Sequence, residues 1–92
     1  MRGQESVEKF AQKMIATLNT PKNSAKTGWD TMTLQHLSAK LKEEYIEVGN
    51  EVCYLNYYGA GDLNRLISEC VDLANVAMMM AEYAEREMNK LC

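Results

Sequence analysis

The chain has 92 residues, a net charge of −3 and 47% hydrophobic residues, so we expect one folded domain over residues 1–92 and not a disordered tail. Its basic residues are scattered, which argues against a nucleic acid polymer as partner, and no apolar run is long enough to span a membrane. The N-terminus lacks an apolar signal core. Three irregularly spaced cysteines and a single histidine, His36, make a Cys/His zinc site unexpected and favour reduced thiols in a cytoplasmic protein.

The first predicted helix is marked by an apolar stripe near the N-terminus. Its members recur at steps of three and four residues, which places them on one face of an amphipathic helix. The segment 19–30 that follows is rich in turn and capping residues and predicts a polar loop. The stripe consists of Val7, Phe10, Ala11, Met14, Ile15 and Leu18.

The second predicted helix begins near Thr33, whose hydroxyl can cap its first turn. An apolar seam follows the helix as far as Leu55. Gly59 and Gly61 come next and predict a tight reversal of the chain. The helices on either side of this reversal should therefore form an antiparallel hairpin. Cys53 and Cys70 are expected to be small buried residues of this hairpin.

The third predicted helix is capped by Asp62 and runs from about Leu63 to about Met88. Its middle, "VDLANVAMMMAEYA", is apolar nearly all round, which predicts a second buried face and hence a second copy of the chain. The fold class is therefore all-α. We expect a helical hairpin plus an N-terminal helix that dimerises into a four-helix-type bundle, or forms a dimer of dimers.

Acidic residues interrupt the apolar seam of the second helix in the stretch "LKEEYIEV" at 41–48. The seam continues onto Glu44, and Glu47 lies one helical step away, so the two side chains are about 5–6 Å apart. Glu69 and Asp72 repeat this spacing on the third helix. Because the hairpin is antiparallel, the two acidic pairs should face one another at nearly the same height.

A buried group of like charges is unfavourable unless a cation, shared protons or basic partners compensate it. Ligands that are all oxygen favour Mg²⁺ or Mn²⁺ over zinc or copper. A di-iron carboxylate site is disfavoured because neither acidic pair has a histidine at the Glu-x-x-His offset. The residues alone leave two interpretations open, a metal site and a charged, solvated helical surface.

The acidic pattern resembles that of the all-α nucleoside triphosphate pyrophosphohydrolases of the MazG type. Relatives of that family include the dimeric dUTPases and phosphoribosyl-ATP pyrophosphatase. The family pattern is E-E-x-x-E on one helix followed by E-x-x-D on the next. In this chain the matching residues are Glu43, Glu44, Glu47, Glu69 and Asp72.

Two further stretches carry the resemblance, which covers about residues 7 to 88. The "KTGW" from Lys26 to Trp29 looks like the segment that precedes the metal helix in small members of the family. The stretch "ECVDLANVAMMMAEYA" is similar to their second metal helix, including Asn75 in a D-x-x-N arrangement. The resemblance implies hydrolysis of a nucleoside triphosphate to the monophosphate and pyrophosphate, with the clearing of non-standard nucleotides as one purpose.

The resemblance also implies roles for individual side chains. Glu43 would orient or deprotonate the attacking water and, with Glu44, forms the catalytic pair. A bound cation would position the phosphate and lower the pKa of a water molecule. The implied ligands of Mg²⁺, or of Mn²⁺ in its place, are Glu44, Glu47, Glu69 and Asp72.

Substrate contacts are less well defined by the sequence. Asn75 is a candidate donor to the sugar or base, with a buried amide that bridges helices as the alternative. Trp29 is a candidate for stacking on the base, and packing on the core is its alternative. Candidate phosphate-binding cations are Lys26, Arg86 and Lys90, in the same chain or across a dimer, and plain solvation is the alternative for each.

Two other functions are consistent with the same sequence. A phosphoribosyl-nucleotide pyrophosphatase would keep the metal site and change the substrate. A non-enzymatic helical oligomer or adaptor would use the third helix as its interface and would need no metal.

Overall fold

The computed structural model of the protein describes residues 2–20, 31–57, 59 and 62–91. Within this part of the chain there are three α-helices and no β-strand, which confirms the all-α prediction. We number them α1 (Arg2–Leu18), α2 (Leu34–Tyr57) and α3 (Leu63–Lys90). None of the three helices, as far as they are described, has the length and apolar character that a membrane span requires.

The helix starts follow the capping chemistry read from the sequence. Thr33 Oγ1 accepts a hydrogen bond of 3.1 Å from the backbone N–H of His36 at the start of α2. Asp62 Oδ1 accepts one of 2.9 Å from the backbone N–H of Asn64 at the start of α3. α1 begins before its apolar stripe, and a side-chain hydrogen bond of 3.1 Å from Gln4 to Glu8 supports its polar first turns.

The turn between α2 and α3 contains a glycine in a backbone conformation that other residues rarely adopt. Gly59 has a φ of 57°, in the left-handed region. Gly61, the other glycine of the predicted reversal, lies outside the described residues. α2 and α3 then pack against each other along their length as the predicted hairpin.

α1 packs on α3 in the part of the chain that the structure describes. Asn75 Nδ2 on α3 donates a hydrogen bond of 3.4 Å to the backbone oxygen of Met14 on α1. The stripe on α1 is only partly covered, since Val7 is 68% and Ile15 is 58% exposed. Several residues of the stripe line a shallow apolar depression of about 430 Å³: Val7, Phe10, Ala11 and Met14, together with the neighbouring Ser6.

The hydrophobic core of the single chain is thin. Among the described residues, the buried apolar side chains are Leu37, Val71 and Val76. The prediction that Cys53 is buried is wrong: its side chain is exposed, while Cys70 is half-buried, and both thiols are free. Helical geometry explains the exposure, because Cys53 lies two residues beyond the buried Glu51 and therefore points to the opposite side of α2.

Candidate metal centre

Three of the four predicted metal ligands meet in the groove between α2 and α3. Glu44 and Glu47 project from successive turns of α2, and Glu69 projects from α3. One carboxylate oxygen from each of the three side chains lies within 4.8 Å of the others. Glu44 and Glu69 are half-buried and Glu47 is exposed, so the group opens to solvent on one side. We call these three residues the carboxylate cluster.

Asp72, the fourth predicted ligand, lies beside the carboxylate cluster. It follows Glu69 by one helical step on α3 and is half-buried. Its negative charge raises the pKa of both Glu44 and Glu69. The two acidic pairs therefore face each other across the hairpin, as their spacing predicts.

Burial and mutual repulsion raise the pKa of two carboxylates of the carboxylate cluster. Burial raises the pKa of Glu69 from 4.5 to about 7, with further increases from hydrogen bonding to Glu47 and from the charges of Glu47, Asp72 and Glu44. Burial also raises the pKa of Glu44, followed by the charges of Glu47 and Asp72, and Lys40 offsets part of this increase. At neutral pH the cluster therefore tends to keep a shared proton.

Two carboxylate oxygens in the cluster have unmet bonding capacity. Oε2 of Glu44 and Oε2 of Glu69 are buried and have no hydrogen-bond partner. Buried polar atoms are nearly always satisfied in native proteins, so such a pair calls for an explanation. A divalent cation between α2 and α3 would satisfy both atoms and offset the clustered charge. The donors are all oxygen, which fits Mg²⁺ or Mn²⁺.

A polar cleft of about 310 Å³ adjoins the carboxylate cluster on the side of the hairpin turn. It contains an ion pair that was not predicted, between Arg65 Nε and Glu51 Oε1 at 3.4 Å. Glu51 is buried, at 7% exposure, and follows Glu47 by one helical turn, so its position on the seam was a usable signal. The cleft is lined by Glu47, Asn50, Glu51, Tyr54, Arg65 and Glu69.

Two predicted site residues, Glu43 and Asn75, are not part of the carboxylate cluster. Glu43 is exposed and is not among the groups that raise the pKa of Glu44 or Glu69. Asn75 is buried, and its amide connects α3 to α1 through the hydrogen bond to Met14. This is the buried, helix-bridging amide that was the alternative to a substrate contact. Its Oδ1 atom has no hydrogen-bond partner.

Two of the predicted substrate-binding cations, Arg86 and Lys90, are not brought to the cluster within one chain. Arg86 lies nearly four helical turns beyond Asp72 on α3, which is about 20 Å along the helix axis. Lys90 lies a further turn away and pairs with Glu87 at 3.1 Å. Their role in phosphate binding stays a prediction for an arrangement across a dimer. Lys26 and Trp29 lie outside the described residues.

Comparison with known proteins gives no relative. No family model, no curated protein and no solved structure matches this chain. The likeness to the MazG-type pyrophosphohydrolases therefore stays a prediction that rests on the sequence motifs described above.

Proposed function

We propose that the chain is a Mg²⁺-dependent nucleotide pyrophosphohydrolase. It would convert a nucleoside or deoxynucleoside triphosphate and water into the monophosphate and pyrophosphate, and non-standard nucleotides are the substrates we favour. The observation that supports this most is the convergence of Glu44, Glu47 and Glu69 from two helices, with two buried oxygens that lack partners. The resemblance of the acidic pattern supplies the reaction class.

The side chains of the cluster would hold the ion and, through it, the phosphates. Mg²⁺ bound there would neutralise phosphate oxygens and make a water molecule a better nucleophile. Glu44, Glu47, Glu69 and Asp72 would fix its position from both helices. Glu43, the exposed residue that precedes Glu44 on α2, would accept the proton of the attacking water. The water oxygen then bonds to the α-phosphorus, the bond to the bridging oxygen breaks, and pyrophosphate leaves.

We also propose that the protein works as at least a dimer. All three helices expose large apolar side chains in the single chain, among them Val7 on α1, Ile46 on α2 and Ile67 on α3. A second copy packed on these helices would bury apolar surface that the single chain leaves in water. We expect light scattering to give at least twice the 10.4 kDa chain mass, and a monomer at micromolar concentration would contradict this proposal.

With its free thiols, the protein is proposed to be cytoplasmic.

Pyrophosphate release tests the proposed activity. We would assay the common nucleoside triphosphates, their deoxy forms and phosphoribosyl-ATP, each with Mg²⁺ and with a chelator, and run the Asp72→Asn variant beside the unmodified protein. We expect release that needs Mg²⁺ and is lost in the variant. Release from phosphoribosyl-ATP alone would change the proposed substrate to a phosphoribosyl nucleotide and would keep the proposed metal site. No release from any substrate by the folded protein would favour the helical adaptor.

A further inference from the structure

The polar cleft beside the carboxylate cluster suggests how the phosphate chain is held. We propose that Arg65 binds the pyrophosphate part of the substrate and that Glu51 is the positioning residue that holds the Arg65 guanidinium at the cluster. This inference rests on the proposed function and adds to it a phosphate-binding cation that lies within the same chain as the metal ligands.

The position of the pair follows from the helix register. Arg65 precedes Glu69 by one turn on α3, and Glu51 follows Glu47 by one turn on α2. The ion pair therefore lies one helical turn, about 5.4 Å, from the carboxylate cluster toward the hairpin turn. Glu47 and Glu69 line the same cleft as the pair, so the cleft and the cluster are continuous. A phosphate chain held by an ion at the cluster can thus extend to Arg65.

The burial of the two partners is unequal, and the inequality assigns their roles. The Glu51 side chain is 10% exposed and the Arg65 side chain is 70% exposed. The contact to Glu51 is made by Nε, so the two terminal nitrogen groups of the guanidinium remain at the solvent end of the side chain. The buried carboxylate thus pairs with Nε of Arg65, and this contact does not use the two terminal nitrogen groups of a side chain that lines the cleft.

The charge of the cleft defines the ligand. Apart from Arg65 and the phenol of Tyr54, the ionisable groups of its lining are the carboxylates of Glu47, Glu51 and Glu69, so a bare anion would be repelled. An anion complexed with a divalent cation would contact the carboxylates through that cation and would contact Arg65 directly. A planar guanidinium also matches phosphate oxygens with two parallel hydrogen bonds. The ligand class is therefore a metal-complexed polyphosphate.

The alternative is that Arg65 only neutralises the buried Glu51. Two variants separate the roles: Arg65→Gln, and the double variant Glu51→Gln/Arg65→Gln, which leaves no unpaired buried carboxylate. If Arg65 were purely structural, the double variant would bind polyphosphate as the unmodified protein does. If Arg65 binds phosphate, the double variant remains weak although its fold is restored.

Calorimetric titration of the full chain with inorganic tripolyphosphate in Mg²⁺ provides the test. We expect both variants to bind at least about tenfold more weakly, the loss typical of a hydrogen bond to a charged group. Lys42→Gln, which removes an exposed positive charge from the same hairpin, should stay within about twofold of the unmodified protein. Arg65→Lys should recover part of the affinity. In turnover assays the loss should raise KM more than it lowers kcat.

Two results would overturn the inference. One is a double variant that binds tripolyphosphate as tightly as Lys42→Gln does. The other is an unmodified protein that binds no tripolyphosphate in Mg²⁺. Pyrophosphate release is measured on the same preparation to test the proposed function separately. If release is normal, the proposed function stands and only the role assigned to Arg65 is rejected.

Discussion

Replacing Glu69 by glutamine is expected to abolish Mg²⁺-dependent pyrophosphate release and to stabilise the metal-free protein. Glutamine keeps the size of the side chain and removes a charge that is unfavourable where burial has raised the pKa of Glu69 to about 7. Loss of a metal ligand should cost at least as much as loss of an outer-shell partner, so we expect kcat to fall by about 100-fold or more. At pH 8 the melting temperature without metal should rise.

Glu85→Gln is the matched control for this substitution. It removes one exposed carboxylate from the same helix, away from the carboxylate cluster. We expect turnover and melting temperature to stay near those of the unmodified protein. A Glu69→Gln protein that retains full Mg²⁺-dependent turnover would show that Glu69 is not a metal ligand. A Glu69→Gln protein that melts at a lower temperature than Glu85→Gln would show that the charge of Glu69 does not destabilise the metal-free protein.

The stability of the metal-free protein is expected to depend on pH through the same carboxylate. Its pKa is raised from 4.5 in the unfolded chain to about 7 in the folded one, so between these values the folded state binds more protons. The free energy of unfolding therefore falls as pH rises through this window. The contribution of Glu69 is fully present below pH 4.5 and is lost above about pH 7. Glu44 shifts in the same direction.

Chemical denaturation of the unmodified protein and of Glu69→Gln across pH 4 to 8 measures this effect together with the coupling of Glu69 to Glu44. We expect the unmodified protein to lose stability relative to the variant as pH rises. Mg²⁺ at pH 8 should restore it, since metal binding requires the ionised carboxylates. NaCl at equal ionic strength controls for charge screening. A difference that does not change with pH would contradict the raised pKa.

The convergence of the acidic residues was predictable because local rules determine it. A helix returns to the same face after three or four residues, and the short turn sets the height at which Glu44 and Glu47 meet Glu69. The caps at Thr33 and Asp62 follow from equally local hydrogen bonds. These features need the sequence of one or two helices and little knowledge of tertiary packing.

Other features depend on how the helices are rotated and docked against each other, which cannot be predicted from the pattern of residues along each helix. Whether Arg65 turns toward Glu51 or toward solvent depends on the rotation of α3 against α2. The docking of α1 on α3 decides that the Asn75 amide is used between helices. The proposed roles of Arg86 and Lys90 would depend on a second chain, whose position no periodicity within one chain can reveal.

Crystals grown with Mn²⁺, examined by anomalous scattering at the manganese absorption edge, would test the central claim most directly. We expect an anomalous peak between α2 and α3, with oxygens of Glu44, Glu47, Glu69 and Asp72 at metal–ligand distance and Oε2 of Glu44 or Glu69 among them. Manganese elsewhere, or a cluster whose carboxylates pair with lysines or arginines of a second chain, would contradict the metal centre and the activity proposed from it.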